Sequence, residues 1–438
     1  MSLPIAKIRQ AFPILRRLID GHPLAYLDNA ATTQKPDGVL DAMNAYYRTQ
    51  NANAHRGMHP LAEEATDAYE GARGVVQKFL HACHSEEIIF TKSCTEAINL
   101  AAKSWGRTNL HPGDRVILTI LEHHSNIIPW IQLKEERGIE LQWVDIDDDG
   151  NLRFDRLERF LHEGNAKLVA ITGQSNVLGM QPPLQEIIGR SHAAGARVLV
   201  DAAQLVAHHP IDVQKLDCDF LAFSGHKLYG PTGIGVLYGK REFLEHMPPM
   251  LGGGGMVQNV TEESFIPLDP PARFEAGTPP IAEAVGLAAA IDWLSQFSWE
   301  DIIHHEQQLL VHAGVVLSSI PNLTILGRFP LQPTPYNLPP RTGCLSFTLD
   351  NLHPHDLTEI LGREGICLRA GHHCAEPLHR RLGFAASTRL SIALYNTPEE
   401  INRLPAAIER AREILTGKTA DSARAHGRVA NYKLQTTH

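Results

Sequence analysis

Short apolar runs rich in β-branched residues alternate with longer segments of helical period between about residues 85 and 240. A run that is apolar throughout is typical of a strand buried on both faces, and intervening helices provide the crossovers of a parallel sheet. The pattern therefore predicts an α/β three-layer sandwich with a mainly parallel sheet. The predicted strands are Glu87–Phe90, Arg115–Thr119, Lys167–Thr172, Arg197–Asp201, Asp219–Phe223 and Gly235–Tyr238. The predicted helices are Leu61–Leu80, Glu96–Trp105, Asn126–Arg137 and Leu184–Ala194.

The rest of the chain divides by composition. Residues 247–280 carry a GGGG run and seven prolines, which indicates a long structured excursion of the kind that is usually functional. We expect a segment 1–24 that packs with the small domain, a large domain over 25–280, and a smaller α+β domain over 281–416. Residues 417–438 lack apolar periodicity and are expected to form a mobile tail.

Composition excludes several classes of partner. Forty basic against 49 acidic side chains give a net charge of −9, which offers no attraction to nucleic acid or anionic membranes. No stretch of 18 uncharged apolar residues occurs, and the N-terminal sequence lacks a secretory pattern, so we expect a soluble, cytoplasmic protein. The six cysteines form no CxxC pair, so any cysteine that matters should act as a single reduced thiol.

Asp201 and Lys227 follow two apolar runs that the pattern makes neighbouring parallel strands. Ligands of open α/β sheets bind at this edge. Taken alone, Asp201 could be a helix cap and Lys227 a surface residue before a turn. Together they suit a pyridoxal phosphate site, where the lysine forms a Schiff base and the aspartate keeps the pyridine nitrogen protonated.

A bound phosphate group needs several hydrogen-bond donors. The segment from Phe90 to Glu96 can supply them, because it runs from a strand into a helix. Free backbone N–H groups and the hydroxyls of Ser93 and Thr95 would converge there, although Thr95 could merely be an N-cap. Ser224 and His226 flank the lysine and would donate to the same phosphate.

His123 and His124 follow the strand Arg115–Thr119. An imidazole at a strand end can stack on a planar cofactor and act as an acid or base. A zinc site or an ordinary capped loop is the alternative, but adjacent histidines rarely face one metal and no third ligand is evident. We therefore expect no metal.

Cys374 lies in a polar loop with Arg369, His372 and His373 nearby in sequence. These neighbours could favour the thiolate. An isolated cysteine is more often a small buried hydrophobe, but a glycine-containing polar loop is a poor place to bury one. The pattern favours a nucleophile.

These motifs together resemble the class V aminotransferase family, and more narrowly the Suf-type, group II cysteine desulfurases that also act as selenocysteine lyases. The resemblance runs from about Ile8 to Leu415. It is carried by YLDNAATTQKP, HRGMHPLA, EHHSNIIPW, SNVLG, LVDAAQ, FSGHKLYGPTGIGVLY, FEAGTP and RAGHHCAEPL.

The resemblance implies a fold-type I homodimer that binds pyridoxal phosphate and transfers sulfur from L-cysteine, or selenium from L-selenocysteine. Lys227 would hold the cofactor, with Asp201 at the pyridine nitrogen, Gln204 at the ring hydroxyl and His123 stacked on the ring. Cys374 would receive sulfur and pass it to a Suf acceptor protein for iron–sulfur cluster assembly. The implied phosphate ligands are Thr95, Ser224, His226 and, from the partner subunit, Thr278. The implied substrate site comprises Arg389 at the carboxylate, with Asn176, His55, Arg56 and Arg369 around it.

Three positions depart from the family pattern. Ser93-Cys94 stands where Gly-Thr is common, so Cys94 at the phosphate side lacks one hydroxyl. Gly173-Gln174-Ser175 replaces His-Val-Ser, and Pro280 replaces a polar residue. Two alternatives stay open: a selenocysteine lyase or cysteine sulfinate desulfinase that does not need Cys374, and a catalytically idle scaffold for sulfur carriers.

Overall fold

The computed structural model describes residues 3–55, 57–328 and 341–416. The helices are α1 (Ile5–Gln10), α2 (Asp37–Thr49), α3 (Pro60–Phe79), α4 (Cys94–Leu100), α5 (Arg107–Asn109), α6 (Ile128–Arg137), α7 (Phe154–His162), α8 (Leu184–Ala193), α9 (Val213–Leu216), α10 (Arg241–Leu244), α11 (Ile281–Leu294), α12 (Trp299–Ser318), α13 (Pro354–Arg363), α14 (Glu376–Leu382), α15 (Pro398–Asn402) and α16 (Leu404–Thr416). The strands are β1 (Leu18–Ile19), β2 (His22–Pro23), β3 (Ala25–Tyr26), β4 (Ile88–Thr91), β5 (Arg115–Thr119), β6 (Glu140–Val144), β7 (Ala166–Thr172), β8 (Arg197–Asp201), β9 (Phe220–Ser224), β10 (Gly235–Gly239), β11 (Val257–Val260), β12 (Phe265–Pro267), β13 (Leu323–Ile325), β14 (Cys344–Leu349), β15 (Ile366–Cys367), β16 (Arg369–Gly371) and β17 (Ser387–Ser391).

A seven-stranded sheet in the order β4-β10-β9-β8-β7-β5-β6 forms the centre of the larger part. The predicted α/β architecture is confirmed, with two differences. Strand β10 runs antiparallel to both neighbours, because only a short connection separates it from β9 and the chain must double back. Strand β6 was not predicted, because this edge strand is only partly buried and carries a mixed apolar and polar sequence.

Alternate residues of the central strands bury on opposite faces of the sheet. Val169 and Val198 pack in one apolar cluster that includes residues of α3 and α11. Leu168 and Leu199 pack in a second cluster with residues of α4 and α6. Successive residues of a strand point to opposite faces of the sheet, and helices cover both faces. Each central strand is therefore apolar along its whole length. Within the described ranges, none of the helices combines the length and apolar character needed to cross a membrane.

The smaller part contains an antiparallel sheet in the order β13-β14-β17-β16. Two separate helices, α15 and α16, end the described part of the chain. Pro405 lies in the first turn of α16, where proline is tolerated at a helix start but not within a continuous helix.

The division into domains stays a prediction, and some contacts cross the predicted boundaries. Strand β3 pairs with β15, and Arg9 near the N-terminus forms an ion pair with Glu400. The predicted tail over 417–438 lies outside the described residues.

The proline-rich excursion over 247–280 carries the hairpin β11–β12 and is anchored to the large sheet by Glu275. Its two carboxylate oxygens accept hydrogen bonds from the Arg73 guanidinium at 2.7 and 2.8 Å. The Phe90 N–H and the Tyr69 hydroxyl donate to the same carboxylate. Arg73 is 1% exposed, so this is a buried, bidentate ion pair.

We expect Arg73→Ala to lower the free energy of unfolding by about 3–5 kcal/mol, because it leaves the Glu275 carboxylate buried without its partner. Chemical denaturation of the purified protein measures this loss. Arg241→Ala is the matched control, since Arg241 and Glu245 form an exposed pair on one helix face. That change should alter the free energy of unfolding far less, because solvent screens an exposed ion pair. Equal effects of the two substitutions would contradict the role given to Arg73.

Candidate active site

A cavity of about 220 Å³ opens at the carboxyl ends of the parallel strands and is closed by β16, β17 and the Cys374 loop. Residues predicted from widely separated segments line it together. They are Cys94, Thr95, His123, Asn176, Asp201, Gln204, Ser224, His226, Lys227, Arg369, Cys374 and Arg389.

Lys227 ends a short helical turn directly after β9 and faces the cavity. Enclosure by protein lowers the pKa of its amine, while the carboxylate of Asp201 acts in the opposite direction. In the described part of the chain, the amine makes no hydrogen bond. It is therefore a basic nitrogen held free in the cavity, which suits it to react with an electrophilic ligand.

Asp201 is the last residue of β8 and is 4% exposed. Its Oδ1 accepts hydrogen bonds from the Ala203 N–H at 2.9 Å and from the Cys94 thiol, with Sγ at 3.3 Å. Burial raises the pKa of Asp201, and these donors, together with Lys227, oppose that rise. The side chain of Cys94 therefore contacts the carboxylate, a contact that the sequence did not predict.

The turn between β4 and α4 brings polar groups to one end of the cavity. Ser93 caps α4, the Cys94 N–H donates to Ser224 Oγ at 2.8 Å, and Thr95 Oγ1 lies 2.7 Å from Ser125 Oγ. Gly235 makes this approach possible, because a Cβ there would lie 2.4 Å from the Ser93 carbonyl carbon. Hydroxyls and N–H groups thus converge where an anion could bind.

His123 carries a neutral imidazole. Its Nδ1 accepts a hydrogen bond from the Ser125 N–H at 3.1 Å, which leaves the ring proton on Nε2. Burial, reinforced by the charge of Lys227, lowers the pKa of His123 to about 3. The ring can therefore donate from Nε2 without carrying a charge.

Arg389 is 2% exposed and has one nitrogen free for a ligand. Nη2 forms an ion pair with Asp28 Oδ1 at 3.0 Å, and Nη1 donates to the Asn176 carbonyl at 3.1 Å. Nε is buried and has no partner in the described ranges. Asp28 was not predicted, although it lies in the YLDNAATTQKP motif, because nothing local links it to a residue 361 positions away.

Two contacts from the large sheet clamp the loop that carries Cys374. The Asn176 amide donates to the His373 carbonyl at 2.6 Å, and the His124 N–H donates to the Cys374 carbonyl at 2.7 Å. His373 and Cys374 both have positive φ angles, of 52° and 58°, a strained conformation for residues other than glycine. The loop is therefore held in one shape next to the cavity.

Not every predicted residue reaches this cavity. His55 and Thr278 line a separate cavity with Arg73 and Glu275, and Arg56 lies outside the described residues. Gln174 lines the main cavity but was noted only as a departure from the family pattern. Within the described ranges, no group of three or more His, Cys, Asp or Glu side chains could hold a metal ion.

The chain is similar in sequence to known proteins over most of its length. The family model described as aminotransferase class-V matches residues 25–404. The cysteine desulfurase of Synechococcus elongatus is 48% identical over 420 residues, which cover 96% of this chain and 65% of that protein. The cysteine desulfurase of Pectobacterium atrosepticum is 45% identical over 416 residues, covering 95% of this chain and 100% of that protein.

Solved structures of cysteine desulfurases also match this chain over most of its length. The apo structure of cysteine desulfurase from Thermococcus onnurineus NA1 matches with a TM-score of 0.86 and 37% identity, covering 95% of this chain and 99% of that chain. The chain therefore belongs to the class-V aminotransferase family, and its relatives over most of its length are cysteine desulfurases.

Proposed function

We propose that the protein is a pyridoxal-phosphate-dependent cysteine desulfurase of the Suf type. One observation carries this proposal: a single cavity brings the free amine of Lys227, the buried carboxylate of Asp201 and the thiol of Cys374 together. An amine and a carboxylate alone would suit many pyridoxal enzymes. A cysteine in the same cavity adds a thiol that can take up a sulfur atom.

The residues present fit pyridoxal phosphate. Bound there, the cofactor would supply an electron sink that weakens the bond between Cβ and sulfur in the substrate. Lys227 would anchor it covalently, and Asp201, whose described hydrogen bonds use only Oδ1, would pair with the ring nitrogen. His123 and Gln204 would also hold the ring. Thr95, Ser224, His226 and the backbone at Cys94 would hold the phosphate.

Arg389 binds the substrate carboxylate, since its side chain lines the cavity and its buried Nε has no partner among the described residues. Asn176 and Arg369 lie beside it in the same lining. The Lys227 amine would move the α-proton. Cys374 would take the sulfur: the Cβ–S bond of the substrate breaks, a bond forms between that sulfur and Cys374 Sγ, and L-cysteine and the Cys374 thiol become L-alanine and a Cys374 persulfide.

Asp28 holds Arg389 in its binding position. We expect Asp28→Ala to raise KM for L-cysteine about threefold to tenfold, with kcat changed by less than about threefold, because one charge-assisted hydrogen bond to the guanidinium is lost. Steady-state alanine formation measures both constants. Asp28→Asn keeps an acceptor and should recover part of the affinity. An unchanged or lower KM for Asp28→Ala would contradict this assignment.

The clamped loop supports a second part of the proposal. Because Cys374 is held at the cavity, a persulfide there would not swing far outward, so a sulfur-acceptor protein must approach the enzyme. We propose a Suf acceptor that delivers sulfur to iron–sulfur cluster assembly. L-selenocysteine is a further substrate, since its weaker carbon–selenium bond reacts at the same site.

The placement of His55 and Thr278 supports a homodimer. Both lie away from the cavity of their own chain, on a second cavity beside the excursion over 247–280. They can serve an active site only from a partner subunit. All six cysteines are free thiols, which supports a reducing compartment such as the cytoplasm.

The decisive experiment incubates the purified protein, loaded with pyridoxal phosphate, with L-cysteine and a reductant. Equal amounts of alanine and sulfide are expected, and more of both when a candidate acceptor is added. L-Serine is the matched control, because it offers an oxygen in place of sulfur. No alanine from L-cysteine under any of these conditions would overturn the proposal.

A further inference from the structure

One ring nitrogen of His373 makes no hydrogen bond to any other described residue. The side chain is 4% exposed and lines the main cavity beside Cys374. Its Nδ1 is buried and has no hydrogen-bond partner, and this includes the neighbouring thiol of Cys374. A buried polar atom without a partner calls for an explanation, and a ligand in the cavity that this side chain lines would supply one.

A chain of three hydrogen bonds determines whether this nitrogen donates or accepts. His379 Nδ1 lies 3.1 Å from the Ala375 carbonyl, which can only accept, so Nδ1 carries the proton and Nε2 is bare. His379 Nε2 therefore accepts from the Ser387 hydroxyl at 2.9 Å. With its proton used there, Ser387 Oγ accepts from His373 Nε2 at 3.0 Å.

His373 thus carries its ring proton on Nε2, and a neutral ring leaves Nδ1 as a bare acceptor. Burial and the nearby charge of Arg389 lower the pKa of His373 to about 2, so the ring stays neutral at any physiological pH. A group with such a low pKa does not take up a proton permanently. It can accept a hydrogen bond from a donor that enters the cavity.

An amino-acid substrate brings two kinds of donor, its ammonium group and its side chain. In the proposed function the amino group lies near Lys227 and the carboxylate at Arg389. The side-chain sulfur must lie next to Cys374, which directly follows His373 in the chain. We therefore propose that Nδ1 of His373 accepts a hydrogen bond from the thiol of the bound amino-acid substrate and so selects for a protonated sulfur. This inference rests on the proposed function.

The test compares two variants of His373, one that keeps the donor to Ser387 and one that keeps an acceptor near the position of Nδ1. His373→Gln can still donate to Ser387 but has no acceptor at the position of Nδ1. His373→Asn places its Oδ1 near that position, and asparagine tolerates the positive φ angle found here. Both are made in a Cys374→Ala background loaded with pyridoxal phosphate, so that L-cysteine binds without turnover.

Binding is followed by the change in cofactor absorption on titration with L-cysteine or with L-alanine, which lacks the thiol. His373→Gln should weaken L-cysteine binding about threefold to tenfold, the effect of one hydrogen bond, and leave L-alanine binding within about twofold. His373→Asn should recover most of the L-cysteine affinity.

Two results would overturn the inference. Unchanged L-cysteine binding in His373→Gln would show that no hydrogen bond is made. Equal weakening for L-cysteine and L-alanine would show that His373 only supports the loop. Alanine formation by the wild-type protein, measured in parallel, reports on the proposed function separately.

Discussion

Lys227→Ala should abolish alanine formation from L-cysteine, with a loss of at least about 1000-fold, and should remove the absorption band of the covalently held cofactor. The variant loses both the anchoring amine and the group that moves the α-proton, and no other amine lines the cavity among the described residues. Absorption spectra and alanine assays of the purified variant measure the two effects.

Two further variants separate the covalent role of Lys227 from its charge. Lys227→Arg keeps a positive charge beside Asp201 but cannot form the covalent bond, so it should be as inactive as the alanine variant. Lys215→Ala removes a lysine whose side chain is 84% exposed and should change neither readout. Turnover by Lys227→Ala within tenfold of the wild type would refute the assignment.

Cys374→Ala should lower alanine formation from L-cysteine by at least about 100-fold while the cofactor band and its response to L-cysteine persist. The physical reason is that the sulfur has no nucleophile to receive it after the Cβ–S bond weakens. L-Selenocysteine and L-cysteine sulfinate should still react, because their leaving groups depart without a thiol acceptor.

The comparison of three substrates makes the test of Cys374 specific. Equal loss on L-cysteine, L-selenocysteine and L-cysteine sulfinate would show that Cys374 maintains the structure rather than receiving sulfur. Cys83→Ala is the matched control, since Cys83 is an exposed free thiol that lies away from the cavity, and it should retain full activity.

Most of the large sheet was predictable because buried strands leave a local signal. All six predicted apolar runs appear as strands within one residue of their predicted bounds, and the bounds of Arg115–Thr119 and Arg197–Asp201 are the same in both. The edge strand β6 left no such signal, since only part of its length is buried. The direction of β10 depends on how the connection folds back, which apolar periodicity does not encode.

Residues at strand ends were also predictable as a group. Asp201 and Lys227 follow buried runs, and the carboxyl ends of parallel strands meet at one edge of the sheet. Their convergence in one cavity therefore follows from the sheet itself. The resemblance to a known family added residues of the smaller domain, and Arg369, Cys374 and Arg389 all line the cavity.

Local periodicity and turn chemistry are enough to predict the layered α/β fold, the strand-end pair of Asp201 and Lys227, and the polar loop around Cys374. Three contacts appear only once the chain is folded: the ion pair of Asp28 with Arg389, the hydrogen bond from the Cys94 thiol to Asp201, and the hydrogen bond to Ser387 that sets the tautomer of His373. These contacts join distant segments through side-chain geometry, and packing of the two sheets sets that geometry.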